Sequence, residues 1–245
     1  MGTKSAKPFL TARWQHLLMI NYVVGRDLLL PYLPRGLELD DYQGQHLVSL
    51  VAFNFLQTRI KGWAIPFHFN FEEINLRFYV RRRTEDGWRR GVVFVKEIVP
   101  RAAIAWVAKK FYNENYQAYP TQHRIDLQSK NPQVTYEWFF QKQWNRLQVS
   151  PVGELKILKE NSLEAFITEH YWGYSAQKNG TTVEYAVEHP PWQYWEVTEP
   201  LVKISAAALY GKDWEAPLST QPHSALLALG SEVKVFGGKV LKSFV

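Results

Sequence analysis

Between Glu73 and Tyr79 every second residue carries a group able to do chemistry: a carboxylate at Glu73, an amide at Asn75, a guanidinium at Arg77 and a phenol at Tyr79. The residues between them, Ile74, Leu76 and Phe78, with Val80 beyond, are apolar. A strand sends successive side chains to opposite faces, so this spacing gathers the four polar groups on one face. Such a face either meets water, as in any half-exposed antiparallel strand, or lines the interior of a sheet closed on itself. In the second case the four groups would hold a small polar or anionic ligand. They are rigid hydrogen-bonding groups rather than the flexible Lys and Glu of a solvated strand, and their opposite charges satisfy one another if buried.

The adjacent pair Lys109-Lys110 is the second candidate. Repulsion between neighbouring ammonium groups lowers a lysine pKa, burial adds to the effect, and the neutral amine is a nucleophile. The pair lies in residues 101–112, behind Pro100, where Ile104, Val107, Ala108 and Phe111 recur at helical spacing. With those four as the buried stripe, both lysines point largely to solvent. Other signatures fail. Gly237-Gly238-Lys239 lacks the spacing and the Ser/Thr of a phosphate loop, and no dinucleotide fingerprint follows a strand. The seven histidines form no HExxH or other ligand pair, and Gly173-Tyr174-Ser175-Ala176-Gln177 lacks the second glycine of a nucleophile elbow. No metal or cofactor is expected.

The elements that must position these groups read mainly as strand. Residues 14–22 and 47–55 are strands, with one helical turn plus loop expected over 25–33, between them. Residues 67–83 and 91–99 form the arms of a hairpin turning at Asp86-Gly87. The aromatic residues Phe67, Phe69 and Phe71 precede the polar set, and the change of pattern at Glu72-Glu73 predicts a bulge or turn there. Residues 133–149 alternate again and are expected to end at Ser150-Pro151-Val152-Gly153. Asn161 with Glu164 three residues on resembles a capping box for a second helix. Short strands over 181–188, 194–197 and 224–236 complete a mainly β chain with a few helices. It is expected to form one domain, 1–245, shaped as an antiparallel barrel or sandwich.

Composition narrows the partners. The chain has no cysteine, which excludes disulfides and thiolate chemistry. Residues 1–8 read as no secretion signal, and apolar runs fall short of the roughly 20 residues of a membrane span, so the cytoplasm is the expected location. The 29 Lys and Arg against 23 Asp and Glu leave a net charge of +6. Much of the excess is local, since Arg81, Arg82, Arg83, Arg89 and Arg90 flank the Asp86-Gly87 turn. A solvated hairpin tip accounts for that cluster, and nucleic acid is not expected as a partner. An interaction protein using the hairpin on nucleic acid or another acidic partner is the alternative function that would overturn that expectation.

Three segments resemble a known family. They are Glu73-Ile74-Asn75-Leu76-Arg77-Phe78-Tyr79-Val80, then Gly91-Val92-Val93-Phe94, then Ala108-Lys109-Lys110-Phe111-Tyr112-Asn113-Glu114-Asn115-Tyr116. Together they are similar to the YqjF-like bacterial family, a domain of unknown function, and the stretch from Trp14-Gln15-His16 through Leu33-Pro34-Arg35-Gly36-Leu37 to Phe53 resembles its N-terminal half. That family is grouped with the acetoacetate decarboxylases. The resemblance implies an antiparallel barrel or cone around a central cavity. Joined to the polar face read above, it leads to the expectation of a small-molecule ligand in that cavity, with Glu73, Asn75, Arg77 and Tyr79 on the wall and Asn113, Asn115 and Tyr116 closing one end. It also implies an alternative in which the chain is a lyase, with Lys109 forming a Schiff base with a keto acid and Lys110 lowering its pKa. Trp106-Val107-Ala108-Lys109-Lys110 departs from the decarboxylase pattern in lacking the glycine and proline before the lysines.

Overall fold

The computed structural model describes residues 7–64, 69–101 and 115–241. Among them fifteen strands join a single sheet, and the helices are short. The chain opens with β1 (Leu10–Val24), then α1 (Arg26–Leu29) and a 3-10 turn over Leu30–Tyr32, the helical turn expected from the flanking prolines. The short β2 (Glu38–Leu39) follows, then the long β3 (His46–Ile60) and β4 (Trp63–Ala64). The hairpin forms as the Asp-Gly signal predicts: β5 (Phe71–Thr84) and β6 (Gly87–Val99) meet at the Thr84 and Gly87 pair, with Gly87 at φ 114°. No helix among the described residues is long and apolar enough to cross a membrane.

β7 (Tyr116–Ala118), β8 (Thr121–Asp126), β9 (Gln133–Phe140) and β10 (Gln143–Lys156) come next. After α2 (Leu163–Thr168) follow β11 (Trp172–Ala176), β12 (Thr182–Glu188) and β13 (Tyr194–Lys203). The helices α3 (Ala206–Tyr210) and α4 (Glu215–Leu218) lead to β14 (Ser224–Val235) and β15 (Lys239–Val240). The sheet order places β12, β11, β6, β5, β3, β1 and β14 side by side, and a further β12–β14 pairing joins the two ends of that row into a ring. The expected purely antiparallel sheet is corrected, because β6 runs parallel to both β7 and β11.

Two buried clusters occupy the two faces of this ring. Ile74, Leu76, Phe78 and Val80 share one with Tyr136 and Trp138 of β9 and Leu147 of β10, which lie outside the ring. Val51, Phe53, Phe55, Phe71 and Tyr79 belong to the other. Between Glu73 and Val80 β5 is therefore covered on both faces, with Arg77 alone half-buried.

Three sequence expectations shift. The bulge expected at Glu72-Glu73 is not there: β3 pairs with β5 in continuous register from Phe55 and Phe71 to Val48 and Phe78. Phe71 and Glu73 share one face, and the change from aromatic to polar marks two ends of one lining. The register shift lies on the other side of β5, where Leu76 pairs Lys96 but Arg77 pairs Phe94, leaving Val95 as the extra residue. β10 does not end at Ser150 but runs to Lys156. Beyond Val149 it has no β9 partner, so Pro151 sits where a missing N–H costs no ladder bond on that side. The cap of α2 is Ser162, whose side chain accepts from the Ala165 N–H at 3.1 Å, while Asn161 adopts φ 60° one residue earlier. The helix expected over 101–112 lies outside the described residues.

Candidate functional site

The face of β5 that carries Glu73, Asn75 and Arg77 opens onto a cavity of about 220 Å³. Hydrogen-bonded neighbours on both sides hold it rigid, with Asn75 between Val51 of β3 and Glu97 of β6. Glu73 is almost wholly buried, and its two carboxyl oxygens accept from Asn75 Nδ2 at 3.0 Å and from the Tyr116 hydroxyl at 3.2 Å. Burial pushes its pKa up to about 7, against the pull of those two hydrogen bonds and of the Arg77 charge. A carboxyl so placed can hold or release a proton near neutrality.

Arg77 reaches past the strand to α2, where Nη2 donates to the Ile167 carbonyl at 3.0 Å, and its guanidinium lies 5.7 Å from the Tyr79 ring centre. Its Nε has no hydrogen-bond partner among the described residues, and neither does Asn75 Oδ1. Buried polar atoms left in that state are costly.

The other expected residues divide by role. Tyr116 lines the cavity through its position on β7, parallel to Glu97. Asn115 braces the wall from behind: its carbonyl accepts from the Glu97 N–H at 3.1 Å and its Nδ2 donates to the Val95 carbonyl at 3.1 Å, tying down the extra residue of β6. Tyr79 sits one step beyond the lining. Its ring lies against Phe166 and His170, and its hydroxyl is 2.5 Å from Ser49 Oγ, which donates to Asn21 at 2.6 Å. Asn21 in turn donates to Ser224 at 3.0 Å, so the phenol ends a buried polar chain across β5, β3, β1 and β14. Lys109, Lys110 and Asn113 lie outside the described residues.

Sequence reading missed His170, which lines the cavity between α2 and β11. Its Nε2 is 3.3 Å from Asp40 Oδ2, an oxygen that also accepts from Arg90 Nε at 2.6 Å. Burial pushes the Asp40 carboxyl up, but the hydrogen bonds from His170 and Arg90, with the Arg90 charge, hold it at about 2. Burial also drives the His170 pKa down to about 4, which the Asp40 hydrogen bond opposes and the Arg90 charge reinforces. A neutral imidazole facing a carboxylate carries its proton on Nε2 and keeps Nδ1 as an acceptor. No local spacing signals a contact between residues 40 and 170.

The rest of the lining mixes aromatic side chains with aliphatic ones such as Leu17, Val51 and Val92, and includes a second buried carboxyl, Glu97. Phe55 stacks on Phe71 with ring centres 4.7 Å apart, and Trp14 meets Phe53 edge-on at 5.1 Å. Trp192 stacks on His189 at 4.0 Å, and burial lowers the His189 pKa to about 4. Gly173, also in the lining, leaves room for the Tyr185 ring, which a Cβ there would approach to 2.1 Å and force to move. Among the described residues no group of three His, Asp or Glu side chains converges as a metal site.

The hairpin arginines are largely neutralised within the fold. Arg81 pairs Glu38 at 3.2 Å, Arg82 and Arg89 both pair Glu184 at 2.6 and 2.7 Å, and Arg90 pairs Asp40. Arg83 stacks on Trp88 at 5.2 Å. The cluster seen in the sequence is thus a set of internal ion pairs and ring contacts, which gives the acidic-partner alternative no support.

Comparison with known proteins places this geometry. The chain is 25% identical over 185 residues to the uncharacterized protein YqjF of Bacillus subtilis (strain 168), covering 73% of this chain and 72% of that one. Among solved structures it is similar to the enduracididine biosynthesis enzyme MppR complexed with pyruvate, with a TM-score of 0.69, 12% identity, and coverage of 100% of this chain and 94% of that one. It is also similar to acetoacetate decarboxylase from Legionella pneumophila, with a TM-score of 0.66, 12% identity, and coverage of 98% and 90%. At these identities the likeness establishes an acetoacetate decarboxylase-like fold. A family described as an uncharacterized conserved protein, domain of unknown function 2071, matches residues 11–232, and the chain belongs to that family.

Proposed function

We propose that this chain is a cytoplasmic single-domain protein that binds a small organic anion in its central cavity, with the head group held by Asn75, Arg77 and Tyr116 beside Glu73. The observation that carries this reading is a buried carboxyl and amide with a half-buried guanidinium on one strand face, opening onto a cavity of about 220 Å³. Arg77 supplies the positive charge at the cavity wall, a charge that an anionic head group complements. Protonated Glu73 adds no opposing charge beside it and offers an O–H of its own. Tyr79 and Asn115 act behind this wall by fixing the strands that carry it. Asn113 is proposed to close the same end, and Lys109 with Lys110 to supply an amine for a covalent variant of the same binding.

Support comes from the fold, since the MppR structure of similar architecture is complexed with pyruvate, a small carboxylate. The test is calorimetric titration and native mass spectrometry with a panel of small carboxylates at pH 6. Arg77→Met, which keeps length and loses charge, is expected to weaken binding at least about tenfold, the equivalent of one charge-assisted hydrogen bond. An unchanged affinity in a folded Arg77→Met protein removes Arg77 from the site, and a wild-type chain that binds no carboxylate ends the reading. Borohydride trapping with keto acids tests the covalent variant, which an absence of any adduct on Lys109 rejects.

A further inference from the structure

The cavity is not polar throughout, and the difference between its ends specifies more than an anion. Glu73, Asn75 and Arg77 occupy one part of the lining, whereas Trp14, Phe53, Phe55 and Phe71 on β1, β3 and β5 form a continuous aromatic wall that Trp192 extends. Resting on the reading of the preceding section, we infer that the ligand is an aromatic carboxylic acid, its ring against the Trp14, Phe53 and Trp192 wall and its carboxylate at Arg77.

Size, shape and chemistry agree on this class. A cavity of about 150 Å³ lined by apolar side chains holds benzene, so 220 Å³ accommodates one ring with a short acid arm. A three-carbon acid would fill only the polar end and leave the aromatic wall without partner atoms, forfeiting their dispersion contacts. The wall is also arranged for a ring. Trp14 stands at 64° to Phe53 and at 58° to Trp192, 5.1 and 6.2 Å away, so a flat guest beside them meets both edges and faces. Aromatic pairs favour those offset and edge-on contacts, whereas a saturated ring of equal carbon count is thicker and has no quadrupole to match them. Trp192 is fixed by a 2.8 Å hydrogen bond from its Nε1 to Ser231, and Phe55 by its stack on Phe71, so the wall is preorganised.

The experiment is a titration of the full chain at pH 6 with pyruvate, 3-phenylpropionate, 3-cyclohexylpropionate and 3-phenylpropanol. Phenylpropionate is expected to bind at least tenfold tighter than pyruvate and severalfold tighter than the cyclohexyl acid. Trp192→Leu should cut the phenylpropionate affinity about tenfold while changing that for pyruvate less than twofold. Phe53→Leu is the second variant, with the same selective loss expected, should Trp192→Leu fail to fold. Pyruvate binding as tightly as phenylpropionate, or equal affinities for the phenyl and cyclohexyl acids, overturns the aromatic class and leaves the anion reading standing. Phenylpropanol binding as tightly as phenylpropionate overturns the anionic head instead, and no binding by any of the four overturns both.

Discussion

The two faces of β5 are both buried and do opposite things. Ile74, Leu76, Phe78 and Val80 meet β9 and β10 side chains in a filled core, while Glu73, Asn75 and Arg77 meet a hollow. Backbone, register and strand neighbours are the same for both sets, so the contrast isolates what lies opposite. Where apolar atoms face apolar atoms, burial gives stability through packing. Where polar atoms face a cavity, burial instead shifts proton affinity and leaves hydrogen-bonding capacity unused, as at Glu73 and at Arg77 Nε. One strand thus serves as scaffold on its even side and as the proposed recognition surface on its odd side.

Breaking the filled face should have the largest effect on stability. Phe78→Ala is expected to cost about 3–5 kcal/mol in urea unfolding, with carboxylate affinity of the folded fraction unchanged, because the cavity created lies on the far side of the sheet. A large loss of affinity with little loss of stability would show that the two faces are not separable.

A change at Glu73 should act through pH. The folded carboxyl titrates near 7 and the unfolded one near the ordinary 4.5. Between those values the native chain holds a proton that the unfolded chain has released, so stability falls as pH rises through this window and the contribution is flat above it. The gap corresponds to about 3 kcal/mol, and Glu73→Gln, neutral throughout, should gain about that much relative to the parent between pH 4.5 and 8. Carboxylate affinity of the parent should also fall above pH 7, as an ionised Glu73 comes to sit beside the anionic head, and Glu73→Gln should flatten that decline. Parallel pH profiles for the two proteins would mean that Glu73 titrates as an ordinary surface acid.

The smallest effect is expected at Tyr79, where the odd face becomes structural. Tyr79→Phe removes the end of the Ser49, Asn21 and Ser224 chain and should cost about 1 kcal/mol, with little change in carboxylate binding. A loss of affinity comparable to that of Arg77→Met would move Tyr79 from the frame into the site.

Much of the scaffold was legible because it is encoded locally. The alternation from Glu73 to Val80 separates two faces within eight residues, and Asp86-Gly87 specifies the hairpin that carries them. The helical turn after β1 follows from the prolines that bound it. Resemblance to a family located the acetoacetate decarboxylase-like fold, which spacing alone did not reach.

What alternation cannot state is which face will be dry, since period two is satisfied equally by a polar face in water and by one in a cavity. That was decided by two remote events: the β12–β14 pairing that joins the ends of the strand row, and the return of β9 and β10 across the even face. The Asp40 and His170 contact depends on the same closure, as does the aromatic wall built from positions 14, 53, 55, 71 and 192. The sequence by itself determined the strands, their two-sided pattern and the chemical groups available. Only the tertiary structure turned those groups inward, because closing a ring of strands is a long-range act and its energy comes from surfaces that lie far apart along the chain.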